Sequence, residues 1–325
     1  MSGQPSPVPP PAGAVPAAGA PAGPASPPTI DLALLALAVV AVSTSAPLIR
    51  AADAPSLAIA FWRNALALPV LGALVLARAR TRREVRRLDA RERRLIVLAG
   101  LFLAAHFATW VPSLAFTSVA SSVALVATQP VWAALIARWR GHHVPRLAWW
   151  GMAAAMAGTV ALTGVDVSIA PRALFGDLLA LTGGALAAAY VTVGAEVRRT
   201  VSTAVYATAC YATAALVLLV VCGVGSQPLT GYDGATWLAL AGTVVGPQLL
   251  GHTLVNRVLR TTSPVVVSVA ILFEIVGAAV IAWIAFGEVP PASAVPAAAL
   301  IVVGVVLVVR ANASARPVAG APPVE

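Results

Sequence analysis

Runs of about 17 to 23 apolar residues with almost no charge recur ten times along the chain, at 30–50, 56–77, 95–115, 118–137, 147–164, 175–195, 202–224, 235–256, 264–286 and 293–309. A hydrocarbon core about 30 Å thick takes roughly 20 helical residues, because each rises about 1.5 Å. The pattern predicts an all-α polytopic membrane protein with ten transmembrane helices. Composition agrees, since charged residues make up 10 % of the 325, where a soluble domain carries about a quarter.

Charge adds the orientation. All 21 basic residues are Arg and the formal net charge is +9. Nine of them lie between Arg78 and Arg94, in the connection between the second and third spans. With ten spans and both termini cytoplasmic, that loop falls inside with Arg138, Arg140, Arg146, Arg198, Arg199, Arg257, Arg260, Arg310 and Arg316. Only Arg50 and Arg172 fall outside, and Arg63 lies within a span. This is the positive-inside bias of an inserted bundle. Basic charge cut into short loops speaks for anionic headgroups of the lipid bilayer and against nucleic acid. The expected location is the cytoplasmic (inner) membrane.

Cys210 and Cys222 share the seventh span, 12 residues or about 18 Å apart, so they cannot bridge within one helix and read as packing residues. Residues 1–28 are rich in Pro and Ala and carry no charge, and are expected to be a disordered tail without a signal-peptide pattern. Residues 311–325 are expected to be a second disordered tail.

The two halves resemble each other at a nearly constant offset. Asp31 and Asp177 open the first and sixth spans, 146 apart; Gly158 and Gly304 repeat at the same offset. Leu114 and Thr117-Ser118 recur 145 residues later as Leu259 and Thr262-Ser263. Each half holds five spans, and an odd number makes the second copy enter the membrane in the opposite sense. Inverted repeats of this kind place sites near the midplane between the copies. The expected units are 29–165 and 174–310.

Specific stretches carry a family resemblance. Pro55-Ser56-Leu57-Ala58-Ile59-Ala60-Phe61-Trp62-Arg63, Ser113-Leu114-Ala115-Phe116-Thr117-Ser118-Val119-Ala120 with Thr128-Gln129-Pro130-Val131, and Leu272-Phe273-Glu274-Ile275 with Gly287-Glu288-Val289-Pro290 are similar to EamA-type permeases of the drug/metabolite transporter superfamily. The resemblance spans roughly 30–310. It implies two five-helix repeats, transport rather than enzymatic activity, and efflux as the direction. Two departures stand out: Ile275 replaces a usual proline, and Gly141-His142-His143 replaces a Gly-Glu pair.

Polar groups at membrane depth are the site candidates. His106, Gln129, Gln248 and Glu274 fall near the middle of their spans. Ionisable groups at such depth are costly and face a cavity or a partner. Glu274, the one acidic residue near the midplane, can exchange a proton or accept a cationic group; alternatively it is a hydrogen bonder between helices. Gln248, His252 and Asn256, spaced four and four, predict a polar stripe on one face of the eighth span. His106 falls one position from the repeat equivalent of His252, so the two histidines either flank a cavity or are satisfied core residues.

Arg63 either snorkels to the outer headgroups or builds an anion-attracting wall with Ser43, Thr44 and Ser45. Trp110 and Tyr190 either line the cavity or pack against lipid and neighbouring helices. Trp149 and Trp150 read as interface anchors. Gly151, Ala155 and Gly158 form a small-residue ridge that predicts close packing of the fifth and tenth spans, or a homodimer contact.

No Walker-type loop, HExxH or GxSxG motif, or metal cluster occurs, so neither a cofactor nor a metal is called for. The favoured function is a secondary transporter moving a small-molecule substrate (a metabolite, amino acid or drug), with a proton or other ion as coupling partner, or by exchange or downhill flow. The alternative is a non-transporting membrane protein, either an intramembrane enzyme using His106, His252 and Glu274 or an assembly subunit.

Topology is testable at this level. In a background lacking Cys210 and Cys222, single cysteines within 78–94 are expected to resist impermeant thiol reagents in intact cells, and one near Asp233 to react. The opposite sidedness rejects the orientation.

Overall fold

The structure, a computed structural model, describes residues 29–117, 122, 125–163, 171–286 and 294–314. Every regular element among these is helical. Without water, each backbone N–H and C=O at membrane depth must be satisfied within the chain, which a helix does by itself.

Several rods are made of more than one helix. The first joins α1 (Thr29–Ser43) to α2 (Ser45–Ala51), and the second joins α3 (Ser56–Ala65) to α4 (Leu68–Ala77). After a short α5 (Ala79–Arg87) come α6 (Ala90–Ser113), α7 (Gln129–Trp139), α8 (Arg146–Thr163), α9 (Pro171–Val197) and α10 (Thr203–Val224). The next rod runs through α11 (Gly234–Thr243), a π-helical segment (Val244–His252) and α12 (Thr253–Val258). Then follow α13 (Pro264–Ile271), α14 (Phe273–Phe286) and α15 (Ala294–Ser314).

Six rods among the described residues are long and apolar enough to cross a membrane: Ile30–Ala51, Ser56–Ala77, Ala90–Ser113, Pro171–Val197, Thr203–Val224 and Gly234–Val258. Shorter apolar helices cover Pro264–Ala278 and Val295–Ala311. The protein is therefore a multi-pass membrane protein. The outward faces are apolar, as Leu76, Leu216, Val224 and Leu238 illustrate, each more than half exposed. The expected tail 1–28 and residues 315–325 lie outside the described residues, as do Ser118-Val119-Ala120 and Gly287-Glu288-Val289-Pro290.

The rod breaks have a common cause. A proline lacks its N–H and its ring clashes with the carbonyl four residues earlier, so regular hydrogen bonding fails just after that carbonyl. Pro47 follows a break at Thr44, Pro69 one at 66–67, and Pro130 one at 127–128. Pro247 sits inside the π-helical segment that begins at Val244. Each break begins three residues before its proline. Ile275 is the exception: α13 and α14 part at Leu272, three residues before it, although no proline stands there. The Leu272 and Ile275 amides donate to carbonyls three residues back, Val269 and Leu272.

The Arg-rich connection differs from the expected loop. Ala79–Arg87 is helical, and Arg91, Arg93 and Arg94 belong to the first turns of α6. Asp89 caps that helix, accepting from the Glu92 amide while the Glu92 side chain accepts from the Asp89 amide. This is the reciprocal capping box, which satisfies two otherwise orphaned donors. The C-terminal segment also differs, because α15 continues through 311–314, which the composition alone assigned to a tail. At the other face, Asp233 caps α11 by accepting from the Thr236 amide at 2.8 Å, and its bonds with Thr236 hold its carboxyl below the usual range.

Helix pairing sets the two ends of the bundle. α6 and α9 lie antiparallel: Gly176 abuts Thr117, Gly183 abuts Trp110, and Glu196 meets Arg91. The first rod and the Gly234–Val258 rod are also antiparallel, with Gly242 against Leu48, Gly246 against Thr44 and Gly251 against Val42. α8 and α15 pair along a small-residue seam, and Trp150 beside it is exposed, as an interface anchor requires.

That seam gives a stability prediction. A Cβ added at Gly304 would sit 2.5 Å from the Gly151 carbonyl oxygen and 2.7 Å from the Ala155 Cβ. Neither backbone can yield cheaply. Gly304→Val is expected to lower thermal stability by several degrees or abolish folded yield, measured by size-exclusion and thermal unfolding of purified protein, while Gly72→Ala, with open space around it, is expected to be near neutral.

Candidate functional site

A cavity of about 90 Å³ lies between the rods. Seven of the nine residues singled out from sequence line it: Arg63, His106, Trp110, Gln129, Tyr190, His252 and Glu274. They come from both halves of the chain, with α3, α6 and α7 supplying Arg63, His106, Trp110 and Gln129, and α9, the π-helical segment and α14 supplying the rest. The rod breaks at 127–128 and Leu272 border the cavity, since Ala127, Gln129, Leu272 and Glu274 all line it. Irregular backbone at membrane depth belongs where protein or a cavity receives it.

Arg63 resolves one of the open alternatives. It is 1 % exposed, so it does not snorkel. Its Nη1 donates to Ser45 Oγ at 3.3 Å, and its guanidinium carbon stands 4.3 Å from the centre of the Phe107 ring. Its Nε is buried without a hydrogen-bond partner. The hydroxyl wall is thus real in part: Ser45 contributes, while Ser43 turns back to the Val39 carbonyl at 2.8 Å and Thr44 to Ala41 at 2.7 Å.

The opposite charge is Glu274. It is partly buried and faces the same cavity, and among the described residues its carboxylate has no hydrogen-bond partner. A cation and an anion facing one desolvated space attract strongly, yet each still pays desolvation unless hydrogen bonds complete it.

Aromatic rings gather at the same cavity. His106 Nδ1 lies 2.9 Å from the Gly183 carbonyl, which orients the ring by donation. The His106 ring stacks on Trp110 with centroids 5.6 Å apart at 12°. His252 approaches the Phe107 ring edge-on at 6.0 Å. The two histidines therefore share one cavity, with Phe107 beside both. Trp110 and Tyr190 are 7 % and 3 % exposed and belong to the cavity rather than the lipid face. Trp110 Nε1 is a second buried donor without a partner.

Of the expected stripe, Gln248 and Asn256 turn inward and bond neighbouring helices. Gln248 points to α3, where its Nε2 donates to Asn64 Oδ1 at 3.0 Å. Asn256 Oδ1 accepts from Tyr190 Oη at 3.0 Å. Only His252 of the three lines the cavity.

Three supporting residues escaped the sequence reading. Asn64 is fully buried beside Arg63 and holds Gln248. Ser268 accepts from Gln129 Nε2 at 2.9 Å, tying α7 to α13 across the two halves. Arg198, expected among headgroups, is instead fully buried; its Nε donates to the Asn256 carbonyl at 2.9 Å. Asn64 was visible as a second polar residue next to Arg63 at membrane depth, whereas nothing in the chain marks Ser268 or the inward turn of Arg198.

With this geometry in view, comparison with known proteins is informative. A profile described as the EamA-like transporter family matches residues 29–164 and again 174–310. The chain belongs to the EamA-like transporter family. A solved structure titled "Crystal structure of protein" is 22 % identical, with a TM-score of 0.72 over 89 % of this chain and 99 % of that one. That likeness speaks for the fold. No curated protein matches the chain. The family is one of transporters rather than enzymes, and the two adjacent matches place the cavity of this family member between its two copies.

The cross-repeat bond is measurable. A double-mutant cycle on Gln129→Leu and Ser268→Ala is expected to show a coupling of about 0.6 kcal/mol and no more than about 1.7, the range of interhelical bonds in membranes. Strict additivity contradicts the bond.

Proposed function

We propose that this EamA-like protein is a ten-span secondary transporter, two inverted five-helix repeats with cytoplasmic termini, that exports small metabolites, amino acids or drugs across the cytoplasmic membrane. Within that range the best fit is a small zwitterion. The observation that carries this is the pairing of Arg63 and Glu274 on one cavity, each with unused hydrogen-bonding capacity.

The chemistry follows from donor and acceptor types. A substrate carboxylate matches the unpartnered Arg63 Nε and Trp110 Nε1, both donors only. A substrate ammonium matches the free carboxylate of Glu274. Bound together they neutralise both charges and supply the hydrogen bonds each lacks, which removes a desolvation cost. The volume favours small solutes: drug-sized ligands take pockets of about 300–1,000 Å³, and this cavity is far below that. The aromatic wall offers its faces to an apolar substituent.

Energy for transport comes from substrate exchange, downhill flow or an ion gradient. Glu274 is the residue for coupling, since a carboxylate facing the cavity can carry either a proton or a cationic substrate group but not both at once. Loading one displaces the other. The absence of a nucleotide-binding motif from the chain leaves no ATP-driven step. Outward direction rests on the family resemblance.

Counterflow in proteoliposomes over a panel of zwitterions, acids and amines tests the reading. Wild-type protein is expected to exchange zwitterions best. Glu274→Gln, which keeps shape and removes the titratable charge, is expected to lower transport by at least about tenfold, the equivalent of about 1.4 kcal/mol, and to lose its pH dependence at unchanged folded yield. Near-normal, pH-dependent counterflow by well-folded Glu274→Gln protein removes Glu274 from coupling. No counterflow by wild-type protein of any panel member favours the non-transporting alternative.

A further inference from the structure

Two aspartates that the cavity does not use make equivalent contacts at opposite ends of the bundle. Asp31, in the first turn of α1, accepts from Thr261 Oγ1 at 2.6 Å. Asp177, in the second turn of α9, accepts from Thr117 Oγ1 at 2.7 Å. The aspartates lie 146 residues apart and the threonines 144, one short of the offset that pairs Thr117 with Thr262, so the second contact resembles the first transposed between the repeats. In each, an aspartate from one half holds the connection just before a cavity-bordering rod of the other half: Thr261 leads into α13, and Thr117 follows α6 toward the rod that contains α7.

The ends can be assigned without counting spans. α9 places its Asp177 end against Thr117 and its Glu196 end against Arg91 and Arg140. Just past that second end, Arg198 donates to the Asn256 carbonyl, and the chain runs from Asn256 to Thr261 within five residues. The Asp31–Thr261 contact therefore lies at the Arg-rich end, and Asp177–Thr117 at the other. The cavity residues His106 and Gly183 fall between them along α6 and α9.

We infer that Asp31 and Asp177 are positioning residues that latch the two ends of the pathway, one for each side of the membrane. The inference rests on the transporter reading and adds its access control. Each latch is a hydrogen bond to a carboxylate, shorter and stronger than a neutral one, yet it joins two segments through a single pair of groups and can break without disrupting a helix. The Asp177 latch sits at a close approach: a Cβ at Gly176 would meet the Thr117 amide nitrogen at 2.7 Å, so at this end backbone lies against backbone. Asp31 is 2 % exposed and its Oδ1 has no partner, so among the described residues the Thr261 hydroxyl is the one side chain that bonds that carboxylate. Opening this end exchanges the hydroxyl for water, at little net cost. Both latches are formed here.

If the two latches oppose each other, weakening one must favour opening at its own end at the expense of the other. The test is accessibility, which needs no substrate and so fails separately from the transport assay. In a background lacking Cys210 and Cys222, Ala278→Cys places a reporter thiol on the cavity wall. Labelling by an impermeant reagent is read from the side of Asp177. Asp177→Ala is expected to speed labelling by about threefold or more and Asp31→Ala to slow it by a similar factor, from the strength of one interhelical bond. Thr117→Val and Thr261→Val, milder changes should an aspartate variant fold poorly, are expected to reproduce the same two signs. The double variant Asp31→Ala/Asp177→Ala is expected to return toward the parent rate. Equal signs for the two ends, or no change at either in folded protein, overturns the inference and makes both aspartates helix-terminal anchors only.

Discussion

Hydrocarbon cannot hydrogen-bond a peptide group, and that constraint governs this molecule more than any side chain does. It makes every crossing segment helical, and it makes every interruption expensive unless protein or a cavity absorbs the freed groups. The interruptions are then informative. Three of the rods that break do so three residues ahead of a proline, at Thr44, at 66–67 and at 127–128, a fourth unwinds into π geometry ahead of Pro247, and a fifth parts at Leu272 without one. Two of the residues that border the cavity, Gln129 and Glu274, sit within a residue or two of a break. Discontinuity and binding site are one feature seen twice.

The same constraint explains the chemistry of the cavity. Arg63 at membrane depth is tolerable because Ser45 and the Phe107 ring partly replace water. It is incompletely served, since Nε has no partner. A buried charge left short of partners is costly, and sites accept that cost where a ligand later supplies what is missing. Glu274 is in the mirrored position, as an acceptor without a donor. On the proposed function the two describe a ligand by subtraction, one that brings an anion to Arg63 and a cation to Glu274.

Much of this was legible in the sequence. Hydropathy runs located the six described long spans to within a few residues, and polar residues at mid-span picked out seven cavity-lining side chains, because in a membrane a polar side chain has few other reasons to exist. What failed did so for physical reasons. The four-residue spacing of Gln248, His252 and Asn256 did not separate cavity lining from bonding between helices, because the partners Asn64 and Tyr190 stand on other rods. Arg198 was assigned to headgroups by its position at a span end, whereas the Asn256 carbonyl and the segment after α9 draw it inward. The break at Leu272 could not be anticipated from Ile275, which has an N–H and no ring. Asp31 and Asp177 were noticed as markers of the repeat, but their partners lie 230 and 60 residues away along the chain, and only the fold brings those together.

The central claim is that one small cavity reads two opposite charges on the same solute. Ligand-dependent thermal stabilisation of the purified protein measures this directly, because a ligand that binds only the folded state raises stability by RT ln(1 + [L]/Kd). A small zwitterion is expected to raise the melting temperature of the wild-type protein, while its analogues lacking either the amine or the carboxylate do not. Arg63→Ala is expected to abolish discrimination against the analogue without the carboxylate, and Glu274→Gln discrimination against the analogue without the amine. Equal stabilisation by all three ligands, or discrimination unchanged in both variants, contradicts the account.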